Sequence, residues 1–258
     1  MTPIELIDMA LQEGLSALSI TDHDTIDAYA TASSYAKEKG LILGSGVEFS
    51  CHHRKQSVHV LAYDFSLTDA GIVDYCKRQQ EKRLLRNKEI LEKLRRLRIV
   101  IEDSDLSLIH PKLSTLGRPH IAEVMVQKGY VKTLQEAFQL YIGERGCCFA
   151  PGEAFLVKEA VSIIHEAGGK VFLAHPHIYN DATIIREVLA MNFDGMECYY
   201  GRSPHYKGSH WLKMAKEKKL LVSGGSDFHG TAKPHIPLGC SFVRRDLFSA
   251  IFEKNLLS

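Results

Sequence analysis

MALQEGLSALSITDHD, residues 9–24, reads as the end of an amphipathic helix, a turn at Gly14, a short apolar run and an ionisable terminus. The same order returns in YAKEKGLILGSGVEFS (35–50), IIHEAGGKVFLAHPH (163–177) and MAKEKKLLVSGGSDFH (214–229). Helices alternating with short buried strands imply βα units and a parallel sheet, because a parallel crossover needs a helix between its strands. In parallel barrels and open sheets the C-terminal strand ends carry the site, since the loops converge there. Those ends hold Asp22, His23, Asp24, Glu48, His175, Asp227 and His229. The run 58–64 adds a strand opening with His59, and FDGMECYY (193–200), around Glu197, reads as one more.

Residues 71–148 break this rhythm with helical patterning: a long helix to about Arg98, then shorter ones around 119–128 and 133–142. We expect a barrel domain built from 1–70 and 149–258, and an insertion at 71–148 capping its mouth. The first insertion helix is basic, with ten Lys or Arg against three Glu over 75–98. Ile90, Leu91, Leu94 and Leu97 follow helical spacing, so one face packs and the rest carries charge. A solvated surface and a phosphate-attracting one both fit that pattern.

Composition narrows the function class. Of the 258 residues 45% are hydrophobic and 24% charged, and a net charge of +1 argues against general polyanion binding, so nucleic-acid contact must be local. Thirteen His direct the search to metal or acid/base chemistry. The cysteines at 51, 76, 147, 148, 198 and 240 show no framework spacing, which fits a reduced cytoplasmic setting. We expect no leader and no membrane span, because no run of the sequence is apolar for long enough.

Each strand-end motif has a structural and a chemical reading. In Thr21-Asp22-His23-Asp24 two carboxylates flank an imidazole and can fix its tautomer as a metal ligand; as a turn, Asp24 or Thr25 would cap a helix. Asp227 and His229 lie two apart on extended backbone, project to one side and can share a metal cluster, with Gly224 and Gly225 allowing close backbone approach. His175-Pro176-His177 ends an apolar strand. His175, directly off the strand, is the better ligand, and His177 stands behind it. Glu48 is a carboxylate able to bridge cations. For the strand at 58–64, His59 competes with His52 and His53. Gly117-Arg118-Pro119-His120 opens a periodic helix, where Pro suits the first turn and Arg with His suits an anion; structural capping is the alternative.

Taken together, ITDHDT, GVE, HVLAYDF, GRPHIAEVMV, FLAHPH and GGSDFHG, in that order, resemble the PHP (polymerase and histidinol phosphatase) family, and within it the nucleoside 3′,5′-bisphosphate phosphatases that also act as 5′-to-3′ exonucleases on short RNA. The resemblance implies a distorted parallel (β/α)7-type barrel with a helical insertion. It implies metal ligation by His23, Glu48, His59, His175, Asp227 and His229, with Asp22, Asp24 and His177 behind them. It also implies a substrate phosphate gripped by Arg118 and His120, which with Glu48 would form the catalytic set. Two or three divalent ions are expected, Mn first and Fe or Zn next. The substrate would be a small phosphorylated nucleotide or short RNA, with no protein partner. Family members open with a strand carrying His-x-His and a following Ser-Asp-Gly, whereas this sequence starts at the Thr2-Pro3 that normally comes just after. A barrel lacking that first strand and three ligands is therefore expected, accounted for most simply by a start placed too far downstream. The other classes are a different hydrolase on this barrel, such as a histidinol phosphatase or amidohydrolase, and a catalytically impaired binding protein.

Overall fold

The computed structural model describes residues 1–54, 56–109, 116–152, 155–201, 205–230, 233–254 and 256–257, with backbone alone at 205–209. From the N-terminus run α1 (Pro3–Gln12), β1 (Ala17–Ser19), α2 (Tyr29–Lys39), β2 (Ile42–Gly44), β3 (Gly46–His53) and β4 (Gln56–Tyr63). Four helices follow, α3 (Ala70–Arg96), α4 (Asp103–Ile109), α5 (Arg118–Gln127) and α6 (Leu134–Ala137). The remainder alternates: β5 (Phe155–Leu156), α7 (Val157–Glu166), β6 (Lys170–Leu173), α8 (Ala182–Leu189), β7 (Gly195–Tyr200), α9 (His205–Lys218), β8 (Leu221–Gly225), α10 (Arg245–Ile251) and β9 (Leu256–Leu257). The chain divides into two compact units, Met1–Cys76 with Ala154–Ser258, and Lys77–Glu153.

In the larger unit the described strands form two sheets and no closed barrel. One has the order β1-β2-β9 and the other β5-β3-β4-β6-β7-β8. The parallel pairs implied by the βα rhythm are present as β1/β2, β3/β5, β6/β7 and β7/β8. β3 and β4 depart from it: they pair antiparallel from Gly46↔Tyr63 to His53↔Gln56, and β4 pairs antiparallel with β6. The cause is the connection, since a two-residue link can only reverse the chain, whereas a parallel crossover needs a dozen residues or more. Arg54 takes φ 47° in that turn. Glu48 consequently lies within β3, three residues beyond the break at Ser45, and is not a strand terminus.

Alternation along this hairpin separates packing from chemistry. Val47, Phe49 and Cys51 of β3 and Val58, Val60 and Ala62 of β4 are fully buried in the main core, while Glu48 and His59 take the opposite face. Phe49 stacks on Tyr75 at a ring-centroid separation of 3.7 Å; burying an aromatic ring of this kind contributes about 2–3 kcal/mol. A second core gathers α1, α2 and β2 through Ile7, Ala10, Ala32, Ala36, Leu41 and Leu43. At its centre the buried Tyr29 hydroxyl donates toward the carbonyls of Ile20 and Gly44 (2.8 Å each) and accepts from Ile20 N–H (3.1 Å). That one group ties α2 to the chain leaving β1 and to β2. α1 starts on a reciprocal cap, Thr2 Oγ1 accepting from Glu5 N–H and Thr2 N–H donating to Glu5 Oε2.

The smaller unit is helical, with its own core of Ile90, Leu94, Ile121, Ala122, Val124 and Met125. The apolar spacing on α3 does bury Ile90 and Leu94, but leaves Leu97 half exposed past the helix end. Asn87, buried on α3, donates to the Leu116 carbonyl at 2.9 Å, and Lys93 Nζ donates to the Phe149 carbonyl at 2.7 Å. Among the described residues no helix is long and apolar enough to cross a membrane.

Candidate metal centre

Backbone pairing brings the first site residues together. Asp24 N–H donates to the Glu48 carbonyl (3.0 Å) and Glu48 N–H to the Asp22 carbonyl (3.2 Å), so His23 and Glu48 face one another as a single parallel bridge. His59 opposes Ser50 across the β3/β4 ladder and is thereby the diagonal neighbour of Glu48 on the same face. Ala174 N–H donates to the His59 carbonyl at 3.2 Å, which carries the β6 edge one residue further and delivers His175 beside His59. His175 has φ 28° and ψ 59°, and Asp24 and Asp227 also hold positive φ, 56° and 54°. Non-glycine residues in this region are strained by about 1–3 kcal/mol each, a state kept where surrounding contacts over-determine it.

The side chains converge closely. Glu48 Oε1 lies 2.8 Å from His59 Nδ1 and 3.0 Å from His175 Nε2, and those two nitrogens are 3.2 Å apart. Glu48 Oε2 faces His23 Nδ1 at 3.6 Å. Ligands about 2.1 Å from a common ion stand about 3.0 Å apart at right angles and about 3.4 Å apart in a tetrahedron. The triangle therefore has the edge lengths of a coordination sphere, and His23, Glu48 and His59 form a group able to hold a metal ion. His175 turns Nε2 into this cluster, while its Nδ1 is buried with no hydrogen-bond partner among the described residues. Imidazole and carboxylate donors suit a divalent first-row metal, and this set fits one.

At the end of β8, Asp227 and His229 adjoin this group: the His229 ring lies 6.2 Å from that of His23, and the His23 ring 4.9 Å from that of His59. His229 Nδ1 sits 2.8 Å from the Asp227 carbonyl oxygen, which can only accept, so Nδ1 carries the proton and Nε2 the lone pair.

Charge follows the geometry. Burial pushes the Glu48 carboxyl up, but the imidazoles of His23 and His59 and hydrogen bonds from His175 and His59 outweigh it and hold it well below the usual range. Burial pushes Glu197 up to about 8, with His175 opposing and the Glu48 and Asp227 charges adding. Asp22 is raised by burial, which His229 partly offsets.

The other motif residues have local roles. Asp24 Oδ1 accepts from Ser50 N–H at 2.8 Å, fastening β3 beside Glu48. His177 stacks on Tyr200 (5.3 Å, 19°) and meets Trp211 edge-on. Of the competitors to His59, His53 pairs with Glu187 at 2.8 Å, away from the cluster. In the smaller unit, His120 Nδ1 accepts from Gly117 N–H (2.8 Å), a helix cap, while Arg118 donates to the Ile142 carbonyl (3.4 Å) and lies over the Phe149 ring. Burial lowers the Arg118 pKa, with Glu144 opposing.

Three supporting residues carried little signal. Glu197, on a run noted as a strand, accepts from His175 N–H at 2.8 Å, and Tyr179 Oη accepts from His59 N–H at 3.0 Å. Lys233 contacts Asp227 at 2.7 Å from a loop without periodicity.

No family model matches the chain. Among curated proteins, a 5′-3′ exoribonuclease of Haemophilus influenzae is 32% identical over 238 residues, covering 89% of this chain and 85% of the relative. A 3′,5′-nucleoside bisphosphate phosphatase of Chromobacterium violaceum is 26% identical, covering 89% and 82%. Among solved structures, a protein of Bifidobacterium adolescentis assigned as a metal-dependent phosphoesterase superposes with a TM-score of 0.87 at 29% identity, over 97% of this chain and 90% of that one. With a first relative this similar along nearly its whole length, and strand ends converging on a cluster fit for divalent ions, the chain belongs to the PHP-type metal-dependent phosphoesterases, the family of the Haemophilus exoribonuclease.

Proposed function

We propose that this chain hydrolyses phosphate esters of nucleotides, acting on nucleoside 3′,5′-bisphosphates and on short RNA from the 5′ end, in the cytoplasm. The observation that carries the reading is the Glu48–His59–His175 triangle with edges of 2.8, 3.0 and 3.2 Å. His23, Glu48, His59, His175, Asp227 and His229 would hold two or three divalent ions, Mn being the first candidate. Bound there, the ions supply positive charge that polarises the phosphoryl group and makes water a competent nucleophile.

The chain's own residues do the rest. Glu48 presents one oxygen to His59 and His175 and the other to His23, an arrangement suited to spanning two cations. Glu197 fixes the His175 backbone in its strained conformation, and Tyr179 Oη accepts from the His59 N–H. Asp22 and Asp24 hold the strand end behind His23, and His177 stands behind His175. For Arg118 and His120 the support is the GRPH motif; their role is to neutralise charge spreading over the phosphoryl oxygens.

The test is elemental analysis of the purified protein together with hydrolysis of a nucleoside 3′,5′-bisphosphate and a short 5′-phosphorylated RNA in added Mn²⁺. Bound divalent metal and metal-dependent phosphate release, both lost in Glu48→Gln, are expected. Wild-type protein that takes up no divalent ion under these conditions would overturn the reading.

A further inference from the structure

We infer that Tyr200 and Lys233 together hold Asp227 so that it offers a single oxygen to a metal ion. The inference rests on Asp227 being a ligand, as proposed above. Tyr200 is the last residue of β7 and pairs with Gly225, the last of β8, so its ring lies beside the strand end that carries Asp227. Its hydroxyl donates to Asp227 Oδ2 at 2.9 Å, and Lys233 Nζ donates to the same oxygen at 2.7 Å. Two donors on one oxygen leave Oδ1 as the free end of the carboxylate. His229 Nδ1 stands 3.5 Å from Oδ1, and that nitrogen already gives its proton to the Asp227 carbonyl.

Both donors are themselves held. Tyr200 is buried and stacked by His177. Lys233 sits in a turn closed by its own N–H to the Gly230 carbonyl (3.2 Å) and by Ile236 N–H to its carbonyl (3.0 Å); Gly239 N–H then returns the loop to Ser226 Oγ (2.9 Å). A carboxylate fixed in this way binds an ion through one oxygen and in one direction. Coordination positions are left for water and substrate, and the geometry is set before any ion arrives. A Lys near a metal ligand can also act oppositely, its ammonium occupying the cation's place. The two roles predict opposite signs, since removing an orienting donor weakens metal binding and removing a competing cation tightens it.

The experiment is calorimetric Mn²⁺ titration of the full chain and of Tyr200→Phe, Lys233→Met and Lys233→Arg, with melting curves of the metal-free proteins and kcat and KM on the bisphosphate. Each of Tyr200→Phe and Lys233→Met is expected to weaken Mn²⁺ binding about 10- to 100-fold, the usual effect of losing a partner of a metal ligand. Lys233→Arg should recover part of the loss, and excess Mn²⁺ should restore kcat. Unchanged or tighter binding in Lys233→Met, or a rise in substrate KM with Mn²⁺ affinity intact, overturns the inference. Failure of the wild type to bind Mn²⁺ would instead sink the metal centre itself.

Discussion

The strand ends of the larger unit and the helix start at Arg118 in the smaller one are built from similar residue types and use them differently. Around Glu48, ligand-type atoms of three residues crowd within 3.2 Å of one another, and His175 keeps a buried nitrogen that the protein does not satisfy. At the start of α5, His120 accepts from the N–H of Gly117, the cap residue before the helix, and Arg118 donates to a backbone carbonyl and lies over an aromatic ring. In the first region folding alone leaves polar capacity unused and backbone strained; in the second, local bonds engage the motif side chains. A metal centre thus declares itself by an excess of converging donors, whereas a motif by itself does not separate binding from capping.

The sharpest way to break this contrast is His175→Ala. Turnover should fall on the order of 1,000-fold, comparable with losing a main electrostatic stabiliser, and bound metal should fall with it. Lost turnover with unchanged metal content would remove His175 from the ligand set. Core truncation sharpens the contrast next. Phe49→Ala should destabilise by about 3–5 kcal/mol and Ile121→Ala by about 2–5 kcal/mol in denaturant unfolding. Phe49 backs the strand bearing Glu48, so its loss should also weaken Mn²⁺ binding, while Ile121→Ala should leave Mn²⁺ affinity unchanged. Equal loss of metal in both would show that the helical unit supports the centre. The smallest effect is expected from Arg118→Ala: KM for a bisphosphate rising about tenfold, as for one lost charge-assisted contact, with metal stoichiometry intact. Unchanged kinetics would leave Arg118 with its structural role alone.

Much of this was legible in the sequence because burial and chemistry alternate there on different periods. The repeated order of helix, Gly or Lys, apolar run and ionisable end marks the βα units and singles out His23, Glu48, His175, Asp227 and His229, whereas His59 stands out from His52 and His53 only through the family resemblance. The β3/β4 hairpin was not legible. The link after His53 begins at Arg54, which holds a positive φ without the Gly or Asn that usually marks one, and the polar face of the hairpin is the site itself, so GVEFSCHH does not read as an ordinary half-buried strand. Tyr200 and Lys233 were hidden for another reason. Their importance lies in both reaching one oxygen of Asp227, a coincidence in space across 33 positions of chain. Loss of the strand rhythm is the one sequence feature that sets the helical unit apart, and α4 has no separate signal within it.

The pairing of β2 with β9 sets a timetable. Leu43 and Gly44 find their partners at Leu257 and Leu256, Asp64 receives the N–H groups of Glu253 and Lys254, and Gly44 lies so close to the Phe252 ring that any side chain there would collide with it. This sheet cannot form until residues 256–257 are available to pair with β2, and closing so long a loop is slow. The chain leaving β1 carries His23, and the chain leaving β2 passes through Ser45 into β3, which carries Glu48. A nascent chain therefore completes the β1-β2-β9 sheet after the β3/β4 hairpin, whose strands are joined by a short link.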